Sequence, residues 1–209
     1  MVANPTKLDL FKTCKEEYAA PRKPVIVKLS PACYLAITGC GKPGGPEFEE
    51  RIGALYGVAF TIKMTRKFAG KGDYAIGKLE CQWWADNSHD LSTVPPEQWR
   101  WKLMIRTPDF ITGEDLEQAR SVLLKRGKSA QVKSVELEQL DEGTCVQMLH
   151  VGPYDKERES IAAMQTFAEA RQLVFHGLHH EIYLSDPRRV PQERLKTILR
   201  EPVAPLGKA

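Results

Sequence analysis

Short apolar or alternating runs recur along the chain and predict strands at Val25–Leu29, Ala32–Ile37, Tyr74–Ala85, Trp99–Arg106, Val135–Leu140, Thr144–Val151, Leu178–Ser185 and Lys196–Arg200. Between them the apolar period changes to that of a helix. Phe48, Ile52, Leu55, Ala59 and Ile62 mark a helix from Pro46 to about Arg66, with Glu47, Glu49 and Glu50 in its first turn, where negative charge is favoured. Thr112 is the expected cap of a helix over Gly113–Arg126, which buries Leu116, Ala119, Leu123 and Leu124. A third helix follows Gly152-Pro153-Tyr154-Asp155 and buries Ile161, Met164, Phe167 and Ala168. Lys7–Tyr18 has the look of a short helix, followed by a proline-bounded connector, and Asp86–Glu97 is a polar loop.

The order of these elements repeats. Each half runs strand, Gly/Pro loop, helix, strand, strand, and the junctions Gly44-Gly45-Pro46-Glu47 and Gly152-Pro153-Tyr154-Asp155 fall at corresponding places. The expected fold class is α+β. It comprises one domain over 1–209, with an N-terminal helix and linker (1–24), a first repeat (25–108), and a connecting helix with a second repeat (109–209). A groove between the halves is the expected ligand site.

Composition narrows the function. A net charge of +3 with interleaved acids and bases lacks the concentrated basic stripe of a nucleic-acid binder. Five dispersed cysteines without a CxxC pair argue against a disulfide framework and a structural zinc site. No apolar stretch has the length of a signal peptide core or a membrane span, so the expected location is cytoplasmic and no membrane partner is expected. Gly39–Gly45 lacks phosphate-loop spacing and reads as a mobile loop.

Candidate chemistry centres on Glu181. Strand alternation puts His179, Glu181 and Tyr183 on one face and His180, Ile182 and Leu184 on the other. A partly buried carboxylate between aromatic polar groups attracts a delocalised cation or transfers a proton. On Gly77–Ala85, Leu79, Cys81 and Trp83 suit a core, leaving Glu80, Gln82 and Trp84 as a second pocket wall with Trp84 as a stacking surface. Trp101 shares a core face with Leu103 and Ile105 and extends to the groove end. Tyr154 closes one end of the groove and offers a hydrogen bond, while Tyr56 is a weaker candidate on a helix face. His179 and Glu181 share a face, but no third ligand follows from spacing, so neither a metal nor a cofactor is expected.

Several segments carry a family resemblance: Lys7–Lys12, Gly77–Glu80 with Trp83-Trp84, Trp101–Pro108, Leu149–Asp155 and, most specifically, His179–Arg189. Together they resemble the stand-alone GyrI-like small-molecule-binding family, which is similar to the effector-binding domains of the transcription regulators BmrR and Rob. The resemblance implies two tandem strand–helix–strand–strand units related by a pseudo-two-fold axis around a ligand groove. It also implies lipophilic, often cationic aromatic ligands, and Glu181 as the pocket glutamate. Some members are implicated in hydrolysing cyclopropane-bearing genotoxic natural products; a sequestering receptor without chemistry uses the same acid and the same aromatics. No DNA-binding segment accompanies it here.

Overall fold

The computed structural model describes residues 7–86 and 91–207. In chain order the elements are α1 (Leu10–Thr13), β1 (Val25–Lys28), β2 (Ala32–Cys40), α2 (Pro46–Phe68), β3 (Leu79–Trp84), β4 (Arg100–Arg106), α3 (Gly113–Lys125), β5 (Glu136–Leu140), β6 (Thr144–Val151), α4 (Glu157–Glu169), β7 (Leu173–Phe175), β8 (His179–Tyr183) and β9 (Lys196–Pro205). The class is α+β, and the strand–helix–strand–strand order recurs as β2-α2-β3-β4 and β6-α4-β8-β9. The polar loop expected over Asp86–Glu97 falls partly outside the described residues; its described part contains two 3₁₀ turns.

The described residues divide into two compact units that interleave in sequence: 7–13, 32–79, 84–86 and 91–140 form the first, and 14–31, 80–83 and 141–207 the second. In the first unit, β2 pairs antiparallel with β4 on one side and β5 on the other. Leu55, Val58, Ala59 and Ile62 of α2 are almost fully buried, as the helical spacing requires. Helix α3 starts with a capping box. The Thr112 side chain accepts from the Asp115 amide, and the Asp115 carboxylate accepts from the Thr112 amide. Gly39 lets the Trp101 ring lie against the backbone, since a Cβ there would come within 2.2 Å of it.

In the second unit the strands run β1-β6-β9-β8-β3, all antiparallel, and β7 adds to the far end of β9. Helix α4 covers one face, packing Met164 and Ala168 over Val146, Met148, Leu199 and Val203. The short strand β7 was not expected from the sequence, and β9 continues past Arg200 to Pro205. Among the described residues no helix is long and apolar enough to cross a membrane.

Candidate functional site

Register decides which side chains meet. Directly opposed residues of paired strands lie on the same face. Opposition of Cys81 with Glu181, Glu181 with Leu199, and Leu199 with Met148 defines one row under α4. Opposition of Gln82 with His180, His180 with Arg200, and Arg200 with Gln147 defines a row on the opposite face. The α4 face thus has an apolar end at Val146, Met148 and Leu199. Its polar end, beneath the start of the helix, holds Glu181.

Glu181 is 12% exposed at its side chain and receives several donors. Nε2 of His179 lies 3.2 Å from its carboxylate, and Nδ1 of the same ring is 2.5 Å from Glu201. The Tyr183 hydroxyl also bonds to Glu181 and in turn accepts from the Trp83 indole N–H at 3.2 Å. The fourth group is Glu157, the first residue of α4, which is 6% exposed and reaches both Glu181 and the Thr197 hydroxyl. Tyr154, on the 3₁₀ turn before α4, packs edge-on to Tyr183 with centroids 6.0 Å apart and remains 40% exposed, forming a lip on the site.

Electrostatics separate the two acids. Burial disfavours charge on Glu181, but the hydrogen bond and charge of His179, together with Tyr183 and Glu157, hold its carboxyl below the usual range. Burial and the neighbouring Glu181 charge push Glu157 up to about 9. The N-terminal dipole of α4, worth about 1 kcal/mol to an anion, does not reverse this. Burial also works against a charged His179, yet Glu201 and Glu181 raise it well above the ordinary histidine value, so the ring is an imidazolium. Burial and Glu181 push the Tyr154 phenol up to about 12 and keep Tyr183 protonated as well.

Glu181, His179, Tyr183 and Tyr154 are therefore brought together. Glu80 and Gln82 are not: they lie on the opposite face from Glu181, which corrects the expectation of a wall formed by them. Alternation shows which residues of β3 share a face, but not which face of β8 they join, and the facing residues are Cys81 and Trp83. Glu80 is fully buried with Nε2 of His180 at 3.1 Å and a hydrogen bond from Tyr18 at 3.2 Å. His180 also meets Glu142 at 2.9 Å, and Arg200 bridges Glu142, Gln147 and the Glu17 carbonyl. In this network His180, whose charge burial opposes but whose ionisation is raised by Glu142 and Glu80, and the Arg200 guanidinium pair with the two acids of the second face.

The first unit holds the other three candidates. Trp101 is fully buried, edge-on to Phe48 at 5.0 Å with its indole N–H donating to the Gly41 carbonyl, which corrects the expectation that it reaches a ligand at the groove end. Tyr56 is half-buried and tilted against Phe60, and Trp84 is half-buried at the end of β3. Sequence reasoning missed Glu157, Glu201 and Trp83 as members of the Glu181 cluster.

Ligand atoms of Glu157, His179 and Glu181 lie within 4.8 Å of one another, close enough to enclose a small cation. Glu157 supplies the third group that spacing could not reveal. Both ring nitrogens of His179 are engaged by carboxylates.

Fold and site together define an α+β domain with a largely buried acid ringed by phenols and an imidazolium. The model of the GyrI-like small molecule binding domain matches residues 86–204, and the chain belongs to that family. An uncharacterized conserved protein from Listeria innocua is 38% identical over 95% of this chain and all of its own, with a TM-score of 0.89. A hydrolase from Listeria innocua is 37% identical over the same shares, with a TM-score of 0.85. The EcmrR C-terminal domain, 11% identical over 88% of this chain and 98% of its own, has a TM-score of 0.57 and shares the fold. No curated protein matches the chain.

Proposed function

We propose that the protein binds a lipophilic aromatic small molecule at the Glu181 cluster and hydrolyses ligands bearing a strained electrophilic ring, such as a cyclopropane. The observation that carries this is the ionised, largely buried carboxylate of Glu181, flanked by the neutral phenols of Tyr154 and Tyr183. Glu181 orients a water by accepting one of its protons in a hydrogen bond. The water oxygen bonds to the strained carbon, the ring C–C bond breaks, and its electron pair moves to a conjugated carbonyl oxygen. That oxygen accepts a hydrogen bond from Tyr154 and is protonated from solvent as the water proton leaves. Exclusion of bulk water strengthens each of these interactions. Similarity to a protein described as a hydrolase supports the reaction class.

A spirocyclopropane alkylator incubated with the protein is expected to give the ring-opened alcohol by mass spectrometry. Glu181→Gln should slow this about a hundredfold, and unchanged turnover in that variant would remove Glu181 from the chemistry. One observation favours the alternative of a sequestering receptor. A carboxylate with several donors is a weak base but a strong fixed charge, and saturable binding without product would establish that role.

A further inference from the structure

We propose that Glu157 is the charge-selecting residue of this site: the Glu157–Glu181 pair takes up one positive charge, supplied either by a proton or by a cationic ligand that displaces it. The inference rests on the assignment of the Glu181 cluster as the ligand site. It adds how one site accommodates both neutral and cationic molecules.

The argument begins with a count. Three carboxyl groups, Glu157, Glu181 and Glu201, converge on a single imidazolium, His179. Glu201 is matched by its contact with the ring, and the other ring nitrogen and the Tyr183 hydroxyl both go to Glu181, which leaves Glu157 in contact with a second carboxylate. Two buried carboxylates in contact do not both ionise without a compensating charge. Geometry shows where that charge is missing. Oε1 of Glu157 is buried and has no hydrogen-bond partner among the described residues, although the side chain is more than nine-tenths buried and belongs to the group whose ligand atoms lie within 4.8 Å of one another. A buried acceptor without a partner is costly and rare. The raised ionisation range of Glu157 agrees with a proton held there when no ligand is present.

The surrounding groups do not supply the charge. On β8 and β9 they are His179, Tyr183, Thr197 and Glu201; Cys81 faces Glu181 from β3, Tyr154 lies beside the helix start, and Asp186 acts on Tyr154. His150 on β6 is held by Ser160 and the Pro153 carbonyl. His179, the imidazolium among them, is committed to Glu201 and Glu181. A neutral aromatic ligand therefore binds with Glu157 protonated. A delocalised cation binds after Glu157 has released its proton to solvent.

The test uses tetraphenylphosphonium as the cation and triphenylphosphine oxide as a neutral counterpart, with calorimetry in buffers of different ionisation enthalpy. Cation binding should release about one proton, and its Kd should fall about tenfold per pH unit until Glu157 ionises near pH 9. Binding of the neutral compound should release no proton and show no such slope. Glu157→Gln should abolish proton release and weaken the cation at least tenfold more than it weakens the neutral compound, and circular dichroism would establish that the variant is folded. Cation binding that Glu181→Gln abolishes but that releases no proton overturns the charge-selecting role and preserves the ligand site. If neither probe binds, or if Glu181→Gln leaves the binding of both intact, the ligand-site assignment fails and the inference with it.

Discussion

Replacing Glu157 by Gln isolates the energetic cost of burying this acid. The native chain holds a proton on Glu157 up to about pH 9, whereas the unfolded chain releases it near 4.5. Between those values the unfolded state binds fewer protons, so the group's contribution to stability is complete below about pH 4.5 and is lost as pH rises towards 9. The limiting slope is about 1.4 kcal/mol per pH unit. Glu181 is held below the usual carboxyl range, so it is ionised in both states between pH 5 and pH 8 and adds little to that slope. Gln keeps the shape and an N–H that can donate to Glu181, but it does not titrate. Urea unfolding of both proteins at pH 5 and pH 8 measures the difference. Relative to the wild type, the variant should gain up to about 1.4 kcal/mol for each pH unit between pH 5 and pH 8. Parallel pH profiles for the two proteins would refute a proton-bearing Glu157.

Two further predictions concern the framework around the site. Glu142 is held at about 2: burial opposes its charge, but His180 and Arg200 outweigh burial, so its stabilisation is present above pH 4.5 and declines as pH falls towards 2. Glu142→Gln should therefore cost about 3–5 kcal/mol at pH 7 in urea unfolding, with the gap narrowing below pH 4.5; a gap independent of pH would contradict the pairing. Gly39→Ala places a methyl group within 2.2 Å of the Trp101 ring and should cost about 1–3 kcal/mol with a change in tryptophan fluorescence, whereas an unchanged melting temperature would show that the ring moves freely.

Much of the fold was legible because periodicity is local. The spacing of Leu55, Ala59 and Ile62 located α2, and Thr112 marked the start of α3. Alternation likewise placed His179, Glu181 and Tyr183 on one side of β8. The rest depended on pairing between distant segments. Glu157 enters from α4, Glu201 from β9 and Trp83 from β3, and no spacing within β8 announces them. Glu80 was misplaced for a related reason. A charged residue in a strand reads as solvent-facing until its counter-ion is known, and here the counter-ion is His180, a hundred residues away in sequence.

The assignment of Glu80–Trp83 to the second compact unit also governs how this protein can be shortened. A fragment cut at the apparent repeat boundary, beginning near residue 109, would carry β6, α4, β8 and β9 but not β1, β3 or the segment around Tyr18. The edge of β8 would lose its neighbour, and His180 would lose one of its two carboxylates. Although the halves read as copies, neither is a self-sufficient module. Grafting or truncation must keep distant stretches of chain together.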